Sequence, residues 1–182
     1  MNGIIIYTSK YGATKQYAEW LGEMLNLPAI SSNRIMKNEL EKCNYILLGT
    51  PVYFGKFKLK AWLRHNIRTL INKKLLLFIV NATTSEETEK RNKFIEDNVP
   101  QELRPYCKFF FVPGRVIHEK LTLRDKLVLR LVALFEKDPA RKKALYEDLN
   151  GVRKEELLPF VDEAQLSCIN KVGQEPMRVG FR

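Results

Sequence analysis

The sequence predicts an α/β domain with a parallel central sheet covered by helices on both faces. Short, continuously apolar runs rich in Ile, Leu, Val and Phe alternate along the chain with segments of helical periodicity. The runs do not alternate apolar with polar, so each reads as a strand buried on both sides. The helical segments between them suit crossovers that join parallel strands. A length of 182 residues matches one ordinary domain with a substantial core.

The first run, Gly3–Thr8 (GIIIYT), is a strand that breaks at Ser9-Lys10-Tyr11-Gly12-Ala13-Thr14. From Thr14 to Leu25 the apolar residues Tyr17, Ala18, Leu21, Met24 and Leu25 recur every three or four positions, which predicts an amphipathic helix. A weak strand follows at Pro28–Ser31. Tyr45–Thr50 (YILLGT) is the next buried strand, then a loop over Pro51–Lys56 and a basic helix from about Leu59 to Ile71. Leu75–Asn81 is the third strong strand. Thr84-Ser85-Glu86-Glu87 opens a helix to about Val99, with hydroxyls to cap it and acids to complement its N-terminus. Pro100 ends that helix. Cys107–Val112 (CKFFFV) is a strand closed by Pro113-Gly114, Leu123–Phe135 is an amphipathic helix, and Glu155–Ala164 packs as a final helix. Residues 1–169 thus form one domain, with a basic helical extension over about 115–150 and a polar tail at 170–182.

The chain carries 31 Lys+Arg against 21 Asp+Glu, a formal net charge of +10. The excess lies mainly in residues 1–70 and 107–154. A basic surface suits anionic partners, although a well-solvated basic face explains it equally well. No recognised nucleic-acid motif is present, so no nucleic-acid partner is expected. A mean hydropathy of −0.28 fits a soluble protein. The longest apolar run, Lys74–Ala82, has strand length, well short of the roughly 20 residues that cross a bilayer. The start lacks the basic n-region and cleavage site of a signal peptide, so the cytoplasm is the expected compartment. Cys43, Cys107 and Cys168 are scattered, without a CxxC pair, and only His65 and His118 accompany them. This pattern predicts incidental thiols and no metal centre.

Ligands of parallel sheets sit beyond the carboxyl ends of the strands, where the strand order reverses. Three loops qualify. In the first, Thr8, Ser9, Lys10, Tyr11, Gly12, Ala13 and Thr14 run from strand straight into helix. Backbone N–H groups turned inward and the positive end of the helix make such a turn a phosphate site, with the Ser9 and Thr14 hydroxyls as further donors. It is neither a Walker loop nor GxGxxG. A plain strand-to-helix turn is the alternative. The second loop holds Pro51, Val52, Tyr53, Phe54, Gly55 and Lys56, whose aromatics suit stacking on a flat ring; packing under the next helix is the alternative. The third, Asn81-Ala82-Thr83-Thr84, offers small polar groups.

These residues resemble the flavodoxin family. Gly12 and Thr14 match the Gly-x-Thr ending of its phosphate loop and Ser9 its leading hydroxyl, while Tyr11 stands where threonine is usual. The resemblance implies a three-layer sandwich with a five-stranded parallel sheet in order 2-1-3-4-5. It also implies a non-covalent FMN bound by the first loop. Tyr53 or Phe54 would lie against the isoalloxazine, Gly55 would offer a peptide carbonyl near its N5 edge, and Asn81, Ala82 and Thr83 would border its pyrimidine edge. Within the superfamily, Phe54-Gly55-Lys56 and the basic segment from Gly114-Arg115 to Lys143 resemble the menaquinone-dependent protoporphyrinogen dehydrogenase type. That resemblance implies a quinone-linked oxidoreductase of haem biosynthesis acting on an anionic substrate. Lys56, Lys58 and Arg115 would pair with its propionates. Arg115 and His118 lie just past a strand end, near the expected flavin, and could bind substrate carboxylates; an ordinary surface role is the alternative. A flavodoxin-type carrier serving redox protein partners is the competing reading; its usual acidic rim disagrees with the charge of +10.

In the extension, Leu123, Leu127, Val128, Leu131, Val132 and Phe135 form an apolar stripe with Arg124, Lys126, Arg130 and Lys137 between them. Such a stripe most often faces a core. The alternative is peripheral contact with an anionic membrane at the inner face of the cell membrane.

Overall fold

The computed structural model describes residues 3–81 and 88–169. The chain begins with β1 (Gly3–Tyr7), α1 (Ala13–Leu25), β2 (Ala29–Ser31) and α2 (Lys37–Lys42). It continues through β3 (Tyr45–Tyr53), β4 (Lys56–Phe57), α3 (Lys60–His65), α4 (Ile67–Leu70) and β5 (Lys74–Asn81). After α5 (Thr88–Asn98) and a 3-10 turn at Gln101–Tyr106 come β6 (Cys107–Pro113) and β7 (Arg115–Val116). The remainder is α6 (Leu123–Phe135), α7 (Pro139–Ala144), β8 (Leu149–Asn150) and α8 (Leu158–Ile169).

The main sheet is parallel, in the order β2-β1-β3-β5-β6. Counted among themselves, its five parallel strands run 2-1-3-4-5, as the resemblance implies. Successive side chains of a strand point to opposite faces, and the core divides accordingly. Ile4, Ile6, Ile46, Leu48, Leu75 and Leu77 face Leu40, Leu59, Leu63, Leu70 and Val99 of one helical layer. Ile5, Leu47, Leu76 and Phe78 face Tyr17, Ala18 and Leu21 of α1 and Phe160, Val161 and Ala164 of α8. The continuous apolar runs are therefore central strands with two dry faces.

Several elements differ from expectation. The predicted loop over Pro51–Lys56 is mostly strand: β3 continues to Tyr53, and β4 folds back antiparallel with Tyr53 opposite Lys56. Phe54 and Gly55 both take positive φ, 47° and 75°, the geometry of a two-residue hairpin turn. The helix expected from Leu59 to Ile71 breaks at Asn66, whose side-chain amide donates to Trp62 O at 2.8 Å and competes with the helical ladder. α2 has one buried residue, Leu40, too little periodicity to read in sequence. α8 starts later and ends later than expected, after a 3-10 turn at Lys154–Leu157. The helix start at Thr84-Ser85-Glu86-Glu87 and the tail at 170–182 lie outside the described residues.

The basic extension is an insertion closed at its base. β7 and β8 pair antiparallel, Arg115 with Asn150 and Val116 with Leu149, and the Gly151 N–H donates to Gly114 O at 3.0 Å. His118 pins the returning chain: its backbone N–H reaches Asp148 Oδ1 at 2.8 Å, and its ring meets Asp148 at 3.0 Å and Leu145 O at 2.9 Å. These contacts give His118 a structural role at the base of the insertion. The α6 stripe belongs to neither core. Leu123, Leu127, Leu131, Val132 and Phe135 are exposed, so the expectation that the stripe faces a core is also corrected. No helix among the described residues is long and apolar enough to cross a membrane.

Candidate functional site

The carboxyl ends of β1, β3 and β5 converge on one rim of the sheet. β1 hands the chain to α1 through the turn Thr8–Gly12, where Gly12 is the N-cap residue with φ of 89°. That conformation disfavours an L side chain, which explains glycine there. No side chain caps α1, so its first-turn amides keep their hydrogens available. The Gly12 N–H donates to Ser9 Oγ at 3.1 Å, leaving the serine hydroxyl hydrogen to donate elsewhere. Thr8 Oγ1 and Ser32 Oγ share a 2.7 Å hydrogen bond, which points the Thr8 hydroxyl toward the end of β2. Ala13 and Thr14 are buried; the Thr14 hydroxyl makes no hydrogen bond among the described residues.

Positive charge collects around this turn. Arg115 Nη2 lies 3.8 Å from where a Cβ on Gly12 would sit, so the guanidinium covers the glycine. On the β2 side, a groove of about 440 Å³ is bordered by Ser9, Lys15, Ser31, Asn33 and Arg34. The first-turn helix amides and the buried Thr14 hydroxyl, which have no partner among the described residues, and the guanidinium together are donors that a phosphate monoester would satisfy. The residues present fit such a group.

Lys10 and Tyr11 are engaged differently. Lys10 Nζ reaches Asp125 Oδ2 of α6 at 2.5 Å, and the Tyr11 hydroxyl donates to the same oxygen. The Thr122 N–H in turn donates to the Tyr11 hydroxyl at 3.1 Å. The hydrogen bond that the Lys10 ammonium donates to Asp125 holds it above its ordinary pKa. Burial pushes the Asp125 carboxyl up, but hydrogen bonds from Lys10 and Tyr11, with the Lys10 and Lys58 charges, outweigh it and leave it below the usual range. Tyr11 therefore docks the insertion.

The hairpin completes the rim. The Tyr53 ring stands 6.0 Å from that of Tyr11, with the ammonium groups of Lys10 and Lys58 at 5.0 and 5.5 Å from its centroid. Burial, the first cause, keeps the Tyr53 phenol well above the ordinary tyrosine pKa. Phe54 is 51% exposed at the tip and Lys56 is exposed beside it, while Pro51 is buried and Val52 partly so. The Gly55 carbonyl, the expected acceptor, already takes a 2.8 Å hydrogen bond from Asn98 Nδ2. Asn98 is buried, and its Oδ1 accepts from the Phe57 N–H at 2.9 Å, fastening the hairpin to α5. Asn81 ends β5 on this rim, its carbonyl accepting from the Gly114 N–H at 2.8 Å. Ala82, Thr83 and Thr84 lie outside the described residues.

Two residues escaped the sequence reading. Asp125 had a signal, since Thr122-x-x-Asp125 is a capping pattern and Asp125 N–H donates to Thr122 Oγ1 at 3.3 Å. Asn98, in an ordinary polar helix end, had none. Among the described residues no cluster of His, Cys, Asp or Glu is placed to hold a metal.

A family model described as "Flavodoxin domain" matches residues 4–143. Among solved structures, similar ones include a flavodoxin from the domain Archaea, at 20% identity over 70% of this chain and 90% of that one, with a TM-score of 0.43. Two-electron reduced Megasphaera elsdenii flavodoxin is 16% identical, over 62% and 83% of the two chains, with a TM-score of 0.45. A Fusobacterium nucleatum flavodoxin mutant bound to flavin mononucleotide is 17% identical, over 53% and 64%, with a TM-score of 0.35. No curated protein matches the chain.

Proposed function

From a chain that belongs to the flavodoxin domain family, we propose an FMN-dependent oxidoreductase that acts on an anionic organic substrate. The observation that carries this reading is the uncapped start of α1 with the Arg115 guanidinium over Gly12. The α1 amides, the Ser9 and Thr14 hydroxyls and Arg115 hold the phosphate. Tyr53, Phe54 and the Asn81 end of β5 border the ring. Bound there, FMN supplies reversible acceptance of reducing equivalents, and the chain supplies position and electrostatics.

Substrate charge follows from the rim. Lys56 pairs with Tyr53 across the hairpin, the Lys58 ammonium lies over the Tyr53 ring, and the chain carries +10 overall. A propionate-bearing porphyrinogen as donor and a quinone as acceptor suit that rim and the basic insertion beside it. A carrier for redox protein partners is less well matched, because it commonly presents acids around its flavin.

Purified protein is expected to be yellow and to release a flavin spectrum on denaturation. Colourless protein that also fails to bind added FMN overturns the proposal. Anaerobic mixing of the loaded protein with protoporphyrinogen tests the substrate: bleaching of the flavin band supports it. Inertness, with rapid exchange to a redox protein, supports the carrier instead.

A further inference from the structure

We propose that the outer face of α6 is a docking surface for an anionic lipid bilayer. Leu123, Leu127, Leu131, Leu134 and Phe135 are between 47% and 85% exposed. At the helical repeat they share about a third of the circumference. The buried residues of α6, Asp125 and Ala133, lie on the opposite side, and Asp125 is tied to Lys10 and Tyr11. The stripe therefore points away from the body of the protein.

Charge selects the occupant. Asp125 is the only carboxylate within α6, and it is consumed by its partners. Glu136 follows the last turn and accepts from the Asp138 N–H at 3.0 Å. Lys126 and Arg130 edge the stripe, Arg124 stands within its arc at the first turn, and Lys137 lies just beyond. An apolar strip bordered by cations fits acyl chains beneath anionic headgroups. A second copy of this chain would bring the same cationic face and a net charge of +10 against it, which is repulsive. Thirteen residues of helix, about 20 Å, lie along a bilayer surface and cannot span it. This surface stands whether or not the site holds FMN.

Sedimentation of the full chain with phosphatidylcholine vesicles, with and without phosphatidylglycerol, tests the assignment. Binding is expected only with phosphatidylglycerol, and it weakens as salt shortens the screening length from about 10 Å at 0.1 M to about 3 Å at 1 M. The double variant Leu127→Glu, Leu134→Glu changes exposed positions, so it keeps its fold and melting temperature while binding at least about tenfold more weakly. Lys126→Gln with Arg130→Gln weakens binding without touching the stripe. Hydrogen exchange at 123–135 slows when anionic vesicles are added. No binding to anionic vesicles, or equal binding by the Leu→Glu variant, overturns the proposal. So does equal binding to uncharged vesicles, or a solution dimer that the Leu→Glu variant splits.

Discussion

Tyr11 donates its hydroxyl hydrogen to Asp125 across 114 residues of chain, so the first turn of the sheet and the distant α6 form one unit. Lys10 closes on the same carboxylate. In the flavodoxin pattern a threonine stands where this chain has Tyr11. Here the phenol reaches past the turn to the insertion, and Arg115, at the insertion's base, brings a cation back over Gly12. For a phosphate bound at this turn, a threonine hydroxyl would be exchanged for a guanidinium.

Asp125→Asn is expected to loosen α6 and lower stability by about 1–3 kcal/mol, because an acceptor for charge-assisted hydrogen bonds is lost. The Asp125 carboxyl lies below its ordinary pKa in the folded protein. Its contribution is therefore complete above the unfolded carboxylate value, about 3.9, and is lost as pH falls through the lower folded value. Urea denaturation at a series of pH values should show a constant gap between the native protein and the variant near neutrality, closing in acid. A gap that widens in acid contradicts the assignment.

Arg115→Gln should weaken FMN binding about tenfold or more, the usual scale for losing a charge-assisted contact to phosphate. Riboflavin, which lacks the phosphate, should bind native protein and variant equally. Fluorescence titration with both flavins separates the phosphate contact from a general disturbance of the ring site.

Gly12→Ala tests the turn itself. Space exists for the methyl group, since the nearest atom is Arg115 Nη2 at 3.8 Å. The cost is the φ of 89°, about 1–2 kcal/mol for an L residue. Thermal unfolding should show that loss even without flavin.

Asn98→Ala removes the amide that holds the Gly55 carbonyl and the acceptor of the Phe57 N–H. A loss of about 2–3 kcal/mol is expected, together with faster amide exchange in the hairpin. Unchanged exchange at Phe57 would show that the hairpin holds itself.

Native thiol labelling should be slow at Cys43 and Cys107. Burial pushes the Cys107 thiol up to about 12 and raises that of Cys43 as well, so little thiolate is present near pH 8. Peptide mapping after iodoacetamide treatment reads each site separately, and urea should expose both.

Burial order was legible in the residues themselves. GIIIY, YILLGT and KLLLFIVN have no polar alternation, so they had to become central strands. The helices between them made those strands parallel, and the Gly12 turn stood at the first strand-to-helix junction. Features resting on one or two long-range contacts were not legible. The 54–55 reversal depends on two positive φ values and on Asn98, which local composition does not encode. The outward stripe of α6 has the same periodicity as a core-facing one.

By itself, then, the sequence determined the parallel sheet, its two covered faces and the glycine turn at its first strand-to-helix junction, because hydrophobic period and turn chemistry are local properties. Only the tertiary structure decided that Asp125 fastens the insertion, that Arg115 covers Gly12 and that Leu127 and Leu134 face outward. Which side of an amphipathic helix is covered depends on what the rest of the chain leaves beside it, and no local pattern records that.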